Sequence, residues 1–189
     1  MPNDTRERIL DRSLELFARQ GVAGTTIVEI EEAAGLSPGS GSFYRHFANK
    51  DAVLAAVVER EVARAEGLRA ERLGEPEPLD VAYRRNLDEL ARLQPLIEIA
   101  AREGRQRPGL LEPLKRVLAE DGARAESALL AAWMEQGEIV EADADAVAAV
   151  AMFALVGHHL AEHFFGAPIG ADRERFVQTL ARMVRGDRP

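Results

Sequence analysis

With 189 residues, 47% hydrophobic and 30% charged, the chain can hold one sizeable domain, or a small and a medium one, around a buried core. It has no cysteine, which excludes a disulfide framework, thiolate catalysis and thiolate metal sites. The net charge of −8 disfavours unspecific coating of nucleic acid, and with a polar start and no run of the roughly 20 apolar residues that span a bilayer, a soluble cytoplasmic protein without membrane contact is expected.

Apolar residues recur at helical spacing almost throughout and alternating β-branched runs are absent, so the fold class expected is all-α. A first helix is predicted from about Thr5 to Gln20, ended by Gly21. Thr26-Ile27-Val28-Glu29 has the form of a capping box and opens a second helix that runs to about Ala34. Gly35 supplies the left-handed residue of a tight corner. Ser37-Pro38 looks like a third helix start, but Gly39 and Gly41 each cost roughly 1 kcal/mol inside a helix, which delays the ordered helix to about Ser40–Phe47. Asn49 then caps a long helix from Lys50 to about Leu73, and the turn-rich Gly74–Pro78 makes a short connection.

Beyond it, helices are predicted over Leu79–Gly104 with a kink or break at Pro95, Leu110–Gln136, the strongly apolar Ala144–Phe165, and Asp172–Arg185.

The densest information lies between Gly35 and Lys50. A glycine corner, a short polar helix start and an aromatic-basic end follow in the order that a helix-turn-helix needs to lay one helix in a DNA groove. Hydroxyls and cations bind phosphate oxygens, and Thr26, Ser37, Tyr44, His46 and Lys50 supply them. Ser40, Ser42 and Arg45 are the candidates for base edges, since serine bonds either edge type and arginine prefers guanine. Phe43 and Phe47 are expected to pack beneath. Residues 1–60 carry seven Lys/Arg against nine acids, so a DNA contact there has to be local.

These residues carry a resemblance. Ile9-Leu10, Phe17, Gly21, Thr25-Thr26, Ile30, Ala33-Ala34-Gly35-Leu36-Ser37, Tyr44-Arg45-His46-Phe47 and Lys50-Asp51 resemble the amino-terminal domain of TetR-type transcriptional regulators. The likeness covers about a third of the chain. It departs from the family at one point: Ser37 to Tyr44 is seven steps where five are usual, so two residues are added within Pro38–Ser42. The resemblance implies an N-terminal three-helix helix-turn-helix DNA-binding domain over 1–48, joined by a connecting helix at about 49–73 to a larger C-terminal helical ligand-binding and dimerisation domain within 49–189. It implies a homodimeric repressor on a palindromic double-stranded DNA operator, released by a small-molecule effector, with no cofactor and no enzymatic activity.

In that family the last two helices pair with their copies. The candidates for this interface are Ala151, Ala154, Gly157, His158, Phe176 and Leu180, with a stripe buried inside the protomer as the alternative. Tyr83, Arg102, Trp133, Met152 and Phe153 are the candidate effector pocket, against plain core packing. No phosphate-loop, dinucleotide-binding, nucleophile-elbow or H-E-x-x-H motif occurs. His159 and His163 stand four apart on one helix face, a spacing that suits a metal, with Glu162 nearby; a helical metal-binding protein or enzyme built on them is the alternative function.

Overall fold

A computed structural model describes residues 2–71, 77–137, 139, 142–166 and 170–186. Eight α-helices and no strand occur among the described residues. They form two compact units: Met1–Glu71 with Leu93–Lys115, and Arg72–Arg92 with Arg116–Pro189. Compactness thus divides the chain elsewhere than at the expected 48/49 boundary.

In the first unit, α1 (Pro2–Gln20) turns Ile9, Leu10 and Phe17 inward, all without solvent exposure. α2 (Ile27–Ala33) begins with the expected capping box: the Glu29 amide donates to Thr26 Oγ1 at 3.1 Å, and the Thr26 amide donates to Glu29 Oε2 at 2.7 Å. It ends on Gly35 at φ +68°, with the Leu36 amide donating back to the Glu31 carbonyl at 2.8 Å. α3 (Lys50–Ala70) starts on Asn49, whose Oδ1 accepts the Ala52 amide at 2.8 Å. Val53 and Val57 from α3 join Ile9, Phe17, Ile30 and Phe43 as fully buried apolar residues of this unit. Arg60 ties α3 to α1 by reaching Glu7 at 3.1 Å and Asp11 at 2.8 Å.

α4 (Leu79–Glu103) passes Pro95 without a break, and its part from Leu93 onward belongs to the first unit together with α5 (Pro108–Lys115). The expected helix over Leu110–Gln136 is divided: a π-helical stretch at Arg116–Glu120 separates α5 from α6 (Asp121–Glu135). A π turn widens the helix by one residue, so side chains on its two sides no longer share one continuous stripe.

The second unit packs α6, α7 (Ala144–Phe165) and α8 (Arg173–Arg185) with the first half of α4. Tyr83, Leu87, Leu130, Ala148, Ala151, Leu155, Val177 and Leu180 form its core. Asp143 and Asp172 cap α7 and α8, accepting the amides of Ala146 at 3.1 Å and Arg175 at 2.9 Å. α7 is long and apolar on average, its alanines and valines outweighing Asp145, Glu162 and three histidines, as the core helix of a helical bundle can be. Its inner face, Ala148, Ala151 and Leu155, is buried in the helical core.

Candidate nucleic-acid interface

Between α2 and α3 the chain makes a tight turn in place of the expected helix over Ser40–Phe47. Gly39 and Gly41 sit at φ +71° and +73°, outside the right-handed helical region, so helical geometry survives only as a single 3-10 turn at Phe43–Arg45. Phe43 and Phe47 are buried beneath it with ring centroids 6.1 Å apart, and the Arg6 guanidinium lies 5.2 Å over the Phe47 ring. On the outside stand Ser37, Ser40, Arg45 and Tyr44, the last 60% exposed, with Ser42 and His46 half-buried. Ser40 and Ser42 join hydroxyls at 2.8 Å, so each presents its remaining lone pairs from a fixed position.

Three predicted phosphate ligands are also structural. The Thr26 hydroxyl is engaged in the capping box, where its hydrogen bonds hold the Glu29 carboxyl below the ordinary carboxylate range. The Lys50 ammonium donates to the carbonyls of Val22 at 2.7 Å and Thr25 at 2.5 Å, which closes the α1–α2 turn and leaves one proton for another acceptor. The Tyr44 ring meets Phe43 edge-on at 5.4 Å, which fixes an otherwise exposed side chain.

Sequence reasoning missed Glu31. It is 2% exposed on the inner side of α2 and accepts the backbone amides of Gly39 at 2.8 Å and Phe43 at 3.2 Å. The available signal was its spacing: Ile27, Ile30, Glu31 and Ala34 share one helix face, so the acid falls on the apolar stripe. Glu103 was missed likewise; it is buried and accepts the Val22 amide.

This arrangement matches known proteins. The family model for bacterial regulatory proteins of the tetR family matches residues 9–57. The HTH-type transcriptional regulator YerO of Bacillus subtilis is 46% identical over 57 residues, which are 30% of this chain and 19% of YerO. The HTH-type transcriptional repressor AcnR of Corynebacterium glutamicum is 33% identical over 63 residues, 33% of this chain and 32% of AcnR. A TetR-family transcriptional regulator from Pectobacterium atrosepticum shares the fold over 100% of this chain and 97% of its own, at 25% identity and a TM-score of 0.59. Residues 9–57 are thus similar to the amino-terminal domain of TetR-family regulators, and the chain as a whole shares the fold of solved members.

The matches to these two curated relatives span a third or less of their length. For the rest of the chain the likeness is of fold. The regulator FadR of Bacillus subtilis, solved with stearoyl-CoA, superposes over 97% of this chain and 99% of its own with a TM-score of 0.68 and 16% identity.

The candidate effector residues are not gathered in one place. Tyr83 is fully buried in the second unit; Trp133 is half-buried against the same core, and Met152 is half-buried on α7. Phe153 is 77% exposed and Arg102 is exposed within the first unit, so neither lines an interior of the second unit's core. Next to Tyr83 lies a residue not foreseen, Glu126. Burial raises its carboxyl above the usual range, and burial together with Glu126 raises the Tyr83 hydroxyl.

The candidate interface residues divide as well. Ala151 and Leu180 are core, and His158 is buried with its ring stacked 4.1 Å from Phe176. Ala154 is half-buried and Gly157 exposed. A different apolar stripe faces outward, Val150, Phe153 and Phe164 on α7, and Met183 on α8 is strongly exposed as well. Helical period finds such faces but cannot say which of two a protomer covers itself, which is why the inner one was chosen from sequence.

The rings of His159 and His163 lie 6.4 Å apart, and burial lowers the pKa of His159. Among the described residues no group of three or more potential ligands gathers around them to hold a metal.

Proposed function

We propose that this chain is a homodimeric transcriptional repressor that holds a palindromic operator through two copies of the 37–47 turn and lets go when a small molecule binds the second unit. The observation that carries this reading is the two-sided turn. Phe43 and Phe47 anchor it inside, while Ser40, Tyr44 and Arg45 face outward beside the capped start of α3. Tyr44, Ser37, His46 and the third proton of Lys50 suit phosphate oxygens; Ser40, Ser42 and Arg45 suit base edges.

Dimerisation is supported by the exposed Val150, Phe153, Phe164 and Met183, apolar side chains that a second copy buries. Repression is supported by the function named for AcnR, and a small-molecule effector by the acyl-CoA bound to FadR. The buried polar pair Tyr83 and Glu126, set in the second unit's apolar core, supplies polar groups for such a molecule. Release requires the effector to favour the form that cannot hold DNA, since equal affinity for both forms shifts nothing. Action on the chromosome places the protein in the cytoplasm.

Selection of bound sequences from a random duplex library tests this. The expected outcome is a palindrome with half-sites about one helical turn apart or a multiple of it. Recovery of no motif, or of a single unpaired half-site by a monomer, overturns the reading.

A further inference from the structure

The outward face of the recognition turn is set from inside by one carboxylate. Glu31 is 2% exposed, and its two oxygens accept the amides of Gly39 at 2.8 Å and Phe43 at 3.2 Å. Those amides bracket Ser40, Gly41 and Ser42. Within the bracket the contacts are short-range: the Ser40 amide to the Ser37 carbonyl at 3.2 Å, the Ser42 amide to Ser40 Oγ at 3.3 Å, and the two serine hydroxyls to each other.

With glycine at 39 and 41, each free of steric neighbours for an added Cβ, the segment has many backbone conformations open to it. A clamp spanning both ends removes that freedom. A buried carboxylate is costly unless it is hydrogen-bonded, and an apolar residue at position 31 would serve the core of α2 without that cost. The chemistry at 31 is therefore explained by the turn and not by the core.

We infer that Glu31 is a positioning residue for DNA reading: by fixing the amides of Gly39 and Phe43 it sets the register in which Ser40, Ser42 and Arg45 meet base edges. The inference rests on the proposed DNA-reading function. It adds that sequence preference is determined by a side chain that touches no DNA.

The test compares the full-length protein with Glu31→Gln and Glu31→Ala by selection from a random duplex library and by affinity for the selected operator. Glutamine has a single acceptor oxygen, so it can serve one of the two amides and opposes the other with its own N–H groups. Both variants are expected to lose roughly tenfold or more in affinity for the wild-type operator, with flattened preference at the base pairs facing the turn. Binding to unrelated duplex and its salt dependence are expected to stay as in the wild type, a pattern that mere loss of folded protein does not produce.

Variants that select the wild-type motif at wild-type affinity overturn the inference while leaving the proposed function intact. A wild-type protein that selects no motif removes both. Should the variants fail to fold, amide hydrogen exchange on the unaltered protein decides. The Gly39 amide, in an exposed turn, is expected to exchange slowly because of Glu31, and exchange at the rate of a free loop amide overturns the inference.

Discussion

The Glu103 carboxylate, in the last turn of α4, accepts the backbone amide of Val22 at 2.9 Å across 81 residues of sequence. Val22 lies in the turn between α1 and α2, and its carbonyl is taken by Lys50 from the start of α3. Arg107, just past α4, reaches Asp51 on α3 at 2.8 Å. The α1–α2 turn is thus wired by side chains to the end of α4 and to the first turn of α3. A Cβ on Gly21 would stand 3.3 Å from Glu103 Oε1, so the glycine leaves room for the carboxylate as well as adopting φ +77°.

Removal of this acceptor leaves a buried amide unpaired. Glu103→Ala is expected to lower stability by about 1–3 kcal/mol, and Glu103→Gln by less because its oxygen can still accept. Urea unfolding followed by circular dichroism measures both; equal, negligible changes would show that the Val22 amide has another partner.

Lys50 serves two carbonyls before it serves any phosphate. Lys50→Met is expected to cost about 1–2 kcal/mol of stability and, through its third proton, to reduce the log–log salt slope of DNA binding by about 1. Arg45→Ala is expected to retain stability and to relax the sequence preference at the base pairs it faces. An unchanged slope in Lys50→Met would confine Lys50 to its two carbonyls.

Glu126 makes stability depend on pH. Its native pKa is raised by burial, so the folded protein holds that proton more tightly than the unfolded chain. The cost of ionising it is absent below the ordinary glutamate value of about 4.3, grows as pH rises through that value, and persists above the native one. Glu126→Gln is therefore expected to melt at a higher temperature than wild type at pH 8, with the gap closing near pH 4. A gap that is constant across this range would mean that Glu126 has the same pKa in the folded protein as in the unfolded chain.

The outward stripe on α7 gives a test that leaves the core alone. Phe153→Asp is expected to keep its helical circular dichroism but to sediment as a monomer. Loss of the second half-site contact should weaken operator binding by about a hundredfold or more. A dimeric Phe153→Asp protein would move the interface elsewhere.

What sequence conveyed best was what depends on near neighbours. The Thr26–Glu29 capping box, the Gly35 corner, the Asn49 cap and both ends of α7 follow from residues within a few positions of one another. The expected recognition helix treats Gly39 and Gly41 as a penalty on a helix, whereas both take the left-handed region and replace the helix with a turn. Ala151, Leu180 and His158 were assigned to a partner because small and aromatic residues at helical spacing fit any close neighbour, and here that neighbour is in the same chain. The importance of Glu31 and Glu103 lies in backbone amides 8 to 81 positions away, which no periodicity records.

The first unit is discontinuous: Leu93–Lys115 belongs to it, while the intervening Arg72–Arg92 belongs to the second. This bears on how heads of this kind can be exchanged. A recombination junction or engineered fusion at residue 71 would transplant α1 to α3 and leave behind α5 and the end of α4, including the Glu103 and Arg107 that are matched to Val22 and Asp51. A chimera made that way inherits a new DNA preference on a mismatched foundation. One that carries residues 93–115 along with 1–71 moves the whole folding unit, and is the exchange expected to keep both stability and the transplanted specificity.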